Sequence, residues 1–166
     1  MNAGRDDARP AYIGLGSNLD DPCGQIARAF DLLDTIPRTR LVARSSLYRS
    51  APFGPVEQPD FVNAVAKTLT SLDAPTLLQH LQEIERSQGR KASVRWGPRV
   101  LDLDLLVLGD EVIGEPRLAV PHPGIAERNF VLLPLREIAP DLVVPGLGRI
   151  VDIAVSESEP RISRIV

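Results

Sequence analysis

The sequence predicts an α+β fold: an antiparallel sheet with helices packed on it. Short apolar or alternating segments are interleaved with segments of helical periodicity, in the order β-α-β-β-α-β. Glycine, proline and aspartate fall at the junctions between them, where each sets a turn or a cap. With 166 residues, the chain can bury a substantial core within the size of one domain.

Residues 1–10 are polar and end in Pro10, which reads as a flexible N-terminal tail. Residues 11–166 then form a single domain. Ala11 to Leu15 reads as a first strand, and Gly14-Leu15-Gly16 as a tight turn leaving it, because no third glycine completes a dinucleotide fingerprint. Asp20 or Asp21 caps a helix with Pro22 in its first turn and Ile26, Ala29, Phe30 and Leu33 on one face. Arg40 to Arg49 reads as a second strand, and residues 51–59, with Pro52, Pro55, Pro59 and Gly54, as a loop. Phe61 to Leu69 is a third strand, on which Phe61 and Asn63 share a face. Asp73 and Pro75 open a second helix with a Leu77, Leu78, Leu81, Ile84 stripe, closed by Gly89. Val100 to Leu108 is a fourth strand. Gly109-Asp110 turns into a short strand, Glu111 to Ile113, and Arg117 to His122 is extended. A third helix runs from Asn129 through Leu132, Leu135 and Ile138 to Pro140, with Pro134 suited only to a position near its start. Residues 142–166 read as a turn, a short amphipathic piece and a tail. The order is the split βαβ pattern, a ferredoxin-like core with an extra C-terminal helix and hairpin, and helices on one face of the sheet.

The chemistry concentrates in Arg95-Trp96-Gly97-Pro98-Arg99-Val100-Leu101-Asp102-Leu103-Asp104-Leu105-Leu106. Asp102 and Asp104, two apart on a strand, point to one face, roughly 6–7 Å apart at their Cα atoms. Carboxylates this close on an apolar strand are costly unless a cation lies between them. An Asp-x-Asp on a strand also serves as a solubility device at a sheet edge, but a long apolar run directly after an Arg-rich loop favours a metal. Magnesium, held by one or two carboxylates plus phosphate oxygens, suits the pair. Arg95 and Arg99, with Arg86, Arg90 and Lys91 upstream, supply the cations that a polyphosphate needs. Together they point to a nucleoside triphosphate site.

Composition narrows the alternatives. A net charge of −3 leaves no basic excess for general nucleic-acid binding. No apolar run reaches membrane-spanning length, and the single cysteine, Cys23, is consistent with a reducing cytoplasm. A glycosyltransferase would place its Asp-x-Asp behind a doubly wound nucleotide domain, for which this chain has too few helix-strand units. A non-catalytic ligand-binding module would leave Asp102 and Asp104 unexplained.

The Arg95-x-Gly97-Pro98-Arg99-x-x-Asp102-Leu103-Asp104-Leu105-Leu106 string resembles the 6-hydroxymethyl-7,8-dihydropterin pyrophosphokinase family. So do Ala11 to Leu19, Arg49 to Pro55, Gln58 to Ala64, Val120 to Pro123, and Arg128-Asn129-Phe130, all in order. The resemblance implies transfer of diphosphate from ATP to the pterin in folate biosynthesis, by a cytoplasmic monomer with ATP as co-substrate. It implies that Asp102 and Asp104 hold two magnesium ions, with Arg90, Arg95 and Arg99 as catalytic cations. For the pterin it implies Ser50, Pro52, Phe53, Gly54, Phe61, Asn63, Trp96 and Phe130, with the two phenyl rings of Phe61 and Phe130 sandwiching the flat ring. For the nucleotide it implies Gln82, Glu85, Lys91, Leu105, Arg117, His122 and Arg128, besides Arg95, Trp96 and Arg99. The chain departs from the family pattern in two places. Residues 91–94 form a shorter, less basic stretch than is common there, and Pro123 stands where an aromatic is common.

Overall fold

The structure, a computed structural model, describes residues 7–52, 54–55, 57–89, 100–156 and 158–165. Its elements in chain order are β1 (Arg9–Ser17), α1 (Pro22–Leu33), β2 (Thr39–Arg44), β3 (Tyr48–Ser50) and β4 (Phe61–Thr70). Then come α2 (Ala74–Ser87), β5 (Asp102–Leu108), β6 (Ile113–Glu115), β7 (Leu118–Val120), α3 (Asn129–Ile138), β8 (Val143–Val144), β9 (Gly148–Arg149) and β10 (Ile162–Arg164). The main sheet runs β10-β3-β4-β1-β5, with β2 beside β3 along the same side of β4. Every pairing in it is antiparallel. Counting β2 and β3 as one interrupted strand, this is the ferredoxin-like arrangement expected from the order of elements.

Local signals set the helix ends where they were expected. The Asp21 carboxylate accepts from the Gly24 N–H at 3.3 Å and starts α1, followed by Pro22. The Asp73 carboxylate accepts from the Thr76 N–H at 2.9 Å and starts α2. Gly89, at φ 89, closes α2 in the left-handed region where a side chain would be strained.

Strand alternation divides the core into two layers. Ala11, Ile13 and Leu15 of β1, Val62, Ala64 and Ala66 of β4, and Leu103 and Leu105 of β5 point to one face, under Ile26, Leu33, Leu77 and Leu81 of α1 and α2. Tyr12, Val65, Leu106 and Val107 point to the other, against Ile125, Leu132, Leu135, Val144 and Ile150. Each such buried aliphatic side chain contributes on the order of 1.5–3 kcal/mol.

Several expectations are corrected. The strand begins at Arg9 rather than Ala11, since Arg9 pairs with Thr70 and Pro10 with Leu69; residues 1–6 lie outside the described residues. Gly14 and Gly16 sit inside β1, not in a turn. The expected second strand is split: Arg44 faces Ala66 and Tyr48 faces Asn63, four steps against three. Ser45 makes the break possible, because its hydroxyl oxygen accepts from the Val65 N–H at 2.9 Å in place of a ladder carbonyl. The third helix packs on the face opposite α1 and α2, and Pro134 lies well inside it. The expected C-terminal hairpin is present as β8 and β9, but the residues expected to form a tail fold back instead, and β10 pairs with β3. Among the described residues no helix is long and apolar enough to cross a membrane.

Candidate functional site

The face of the sheet that carries α3 is polar at one end, where β1 finishes and where β4 and β5 begin. Register lines up Tyr48, Asn63, Gly16 and Asp102 across four neighbouring strands. The adjacent row holds Val65, Gly14 and Asp104. Asp102 and Asp104 are both half-buried, while Leu103 and Leu105 between and beyond them are buried on the opposite face. Their carboxylates therefore share the α3 face, as the alternation requires.

The two glycines keep the floor between these groups low. A Cβ on Gly14 would touch the Leu106 side chain at 3.5 Å, and one on Gly16 would lie 3.4 Å from Asn63 Oδ1. Asn63 is itself buried, and its Nδ2 donates to Ser50 Oγ at 2.7 Å. With the amide nitrogen committed to Ser50, Oδ1 is directed over Gly16 as a hydrogen-bond acceptor. Buried amides need such partners.

Aromatic and loop residues form the walls. Phe61, half-buried, heads β4 on the Asn63 face, and Phe130, also half-buried, lies one residue into α3 against the core of that face. Neither ring is among the fully buried residues. Asn18, buried just past β1, donates to Gln58 Oε1 at 2.8 Å and to the Pro59 carbonyl at 2.9 Å. It thereby ties the proline-rich loop to the end of β1, immediately before Phe61. Pro52 is half-buried and Gly54 exposed at the other end of that loop.

On the acidic side, His122 lies close enough to Asp104 to feel its charge, and Arg128 lies beside His122. The His122 N–H donates to the Leu106 carbonyl at 2.8 Å, which places the residue along the outer edge of β5. His122 Nδ1 accepts from the Gly124 N–H at 3.0 Å, so the proton of the neutral ring is on Nε2. Burial and the nearby Arg128 hold its pKa below the usual value of 6.5 against the pull of the Asp104 carboxylate, so it is neutral at pH 7. Arg128 crosses Gly124 closely: a Cβ there would come 2.7 Å from Arg128 Nε. The missing side chain at 124 gives the guanidinium its path.

Other expected nucleotide residues are placed differently. Glu85 is turned inward, where Oε2 accepts from the Leu103 N–H at 2.8 Å and pins the free edge of β5. Gln82, one turn earlier on α2, is exposed, as is Arg117 between β6 and β7. The Leu105 side chain enters the core under α1 and α2, so only its backbone can face the site. Phe53, Arg90, Lys91, Arg95, Trp96 and Arg99 lie outside the described residues. Gly14, Gly16, Asn18 and Gln58 lie in segments that carry the resemblance but were not expected as site residues. Glycine two apart inside an otherwise apolar strand was the signal for the floor.

Among the described residues no three acidic, His or Cys side chains gather as a complete metal-binding group. Two carboxylates on a glycine floor instead fit a hard cation that takes its other ligands from water and phosphate, which is how magnesium binds.

A family model described as 7,8-dihydro-6-hydroxymethylpterin-pyrophosphokinase matches residues 12–140. The 2-amino-4-hydroxy-6-hydroxymethyldihydropteridine pyrophosphokinase of Haemophilus influenzae is 51% identical over 136 residues, 82% of this chain and 85% of that protein. The enzyme of the same name from Pseudomonas aeruginosa is 52% identical over 134 residues, 81% of this chain and 83% of that protein. Among solved structures, Plasmodium falciparum HPPK-DHPS, wild type, superposes with a TM-score of 0.69 over 88% of this chain at 15% identity. The chain spans 44% of that longer polypeptide, and the likeness speaks to the fold.

Proposed function

Because the chain belongs to the 7,8-dihydro-6-hydroxymethylpterin-pyrophosphokinase family and is an ATP-dependent diphosphotransferase, we propose the following reaction. It transfers the terminal diphosphate of ATP to the hydroxymethyl group of 6-hydroxymethyl-7,8-dihydropterin, as a magnesium-dependent step of folate biosynthesis carried out by a cytoplasmic monomer. The observation that carries this is a pair of adjacent rows across the sheet floor: an aspartate at one end of each, a glycine next to it, and the amide of Asn63 at the other end of the Asp102 row. A pterin has a donor-rich edge that Asn63 Oδ1 can read, and a flat ring suited to Phe61 and Phe130 on either side.

Asp102 and Asp104 would hold two magnesium ions, with the remaining ligands coming from ATP and water. When bound, magnesium neutralises phosphate charge and polarises the oxygens of the reacting phosphoryl group. The Nε2–H of neutral His122, close to Asp104, and Arg128 beside His122 would donate to phosphate oxygens. The resemblance would add the charges of Arg90, Lys91, Arg95 and Arg99 at the phosphates and assign Trp96 to both substrates. Gln82 and the backbone at Leu105 contact the nucleotide, and Arg117 reaches it from the β6–β7 turn. Ser50, Pro52 and Gly54 would present backbone groups to the pterin edge, and the resemblance adds Phe53 to the pterin residues.

The pterin hydroxymethyl oxygen attacks the β-phosphorus in line. An O–P bond forms, the bridging bond between the α- and β-phosphates breaks, and AMP leaves with its electron pair while the hydroxyl proton is lost to water. Such transfers depend on positioning and electrostatics more than on a strong base. Incubating the protein with magnesium, ATP and the pterin, then separating the nucleotides, tests this reading. AMP formed only with the pterin present is the expected product; ADP would mean single-phosphate transfer and overturn it.

A further inference from the structure

Asn129 is a buried side chain whose hydrogen bonds join two walls of the pocket. Its Nδ2 spends both hydrogens, donating to the Ser156 carbonyl at 2.8 Å and to the Pro160 carbonyl at 2.7 Å. Among the described residues its buried Oδ1 has no hydrogen-bond partner. The two donated bonds satisfy both amide hydrogens of this buried side chain. Those bonds reach the C-terminal segment, beyond the residues that the family model matches. One residue past Pro160, the Arg161 carbonyl accepts from the Ala51 N–H at 2.9 Å. From there β10 pairs with β3, Ile162 opposite Ser50, and the Ile165 N–H donates to the Leu47 carbonyl at 2.8 Å.

The connection runs unbroken from α3 to the pterin side of the sheet. Asn129 sits between Arg128 and Phe130. The segment it grips is bonded to Ala51, between Ser50 and Pro52. Ser50 in turn orients Asn63. We propose that Asn129 is a positioning residue for pterin recognition: it clamps the C-terminal segment as a strut that sets the distance between the Phe130 wall and the Ser50–Asn63 wall. This rests on the pyrophosphokinase reading for the identity of the ligand, but the strut itself does not.

The test uses the full-length protein, Asn129→Ala, a variant ending after Val155, and the two changes combined. Pterin and magnesium-ATP binding are measured separately, with hydrogen exchange at the Ala51 amide as a readout that needs no ligand. Loss of the two bonds should weaken pterin binding about tenfold while leaving ATP affinity within about twofold. Asn129→Ala should also speed exchange at Ala51, and in the shortened protein it should add no further loss of pterin affinity. Unchanged exchange at Ala51, equal loss of both ligands, or additive losses in the combined variant would each overturn the strut. If Asn129→Ala fails to fold, Asn129→Asp, which keeps the shape but cannot donate, takes its place. A wild-type protein that binds no pterin would overturn the functional reading, while exchange at Ala51 would still decide the clamp.

Discussion

At the scale of single residues, the site depends as much on missing side chains as on present ones. Gly16 lies between Asn63 and Asp102 in the cross-strand row, and a Cβ there would reach Asn63 Oδ1 at 3.4 Å. Gly16→Val keeps a residue well suited to a strand but fills the floor with two methyls. It should leave the fold intact and weaken pterin binding by about tenfold or more, measured by titration; unchanged affinity would mean the ligand does not cross this row. Phe130→Ala should cost more in pterin than in ATP affinity, whereas an equal loss of both would assign the ring to packing. The Asp-x-Asp pair and the Phe61–Asn63 face were legible in the sequence, because alternation on a strand fixes which residues share a face. The glycines were not: a pair of glycines beside a strand end reads equally as a turn, and only pairing with β4 and β5 shows that they pave a floor.

At the scale of elements, the free edge of β5 needs something to hold it, since it carries both aspartates. The Glu85 carboxylate does so by accepting from the Leu103 N–H. Glu85→Ala should destabilise the protein by about 1–3 kcal/mol through that bond alone, read by denaturant unfolding. Glu85→Gln, which retains an acceptor oxygen, should recover part of the loss; no difference between the two would remove the bond from the account. Helix starts at Asp21 and Asp73 were readable because a cap is a local interaction. The side of the sheet on which α3 packs was not, because an apolar stripe says that a helix buries a face but not against what. Likewise Ile162-Ser163-Arg164 is too short to show a period, and its pairing partner lies more than a hundred residues earlier in the chain.

At the scale of the whole molecule, α3 is tied to the sheet through Glu137. Its carboxylate accepts from Tyr48 Oη at 2.7 Å and from the Ser46 N–H and Oγ at 2.9 and 3.0 Å, with Arg164 3.8 Å away. Partial burial disfavours its charge, but these donors and Arg164 outweigh that and hold its pKa below the ordinary 4.5. The Tyr48 hydroxyl, buried and bonded to this carboxylate, is pushed up to about 12 and remains a donor. A carboxyl depressed on folding stabilises the native state above its unfolded pKa, and that contribution is lost as pH falls through the folded value. Thermal unfolding followed from neutral pH to below 4.5 should therefore show an acid limb that Glu137→Gln flattens while lowering stability at neutral pH. An unaltered limb in the variant would assign the acid sensitivity elsewhere.

The proposed reaction divides the labour on one sheet face, with nucleotide and metal at the β5 end and pterin at the β4 end. Measuring magnesium-ATP and pterin affinity in parallel for Asp104→Ala and Asn63→Ala tests it most directly. The expected result is reciprocal: Asp104→Ala loses magnesium-dependent ATP binding and keeps the pterin, and Asn63→Ala does the reverse. Equal loss of both ligands in each variant would contradict it.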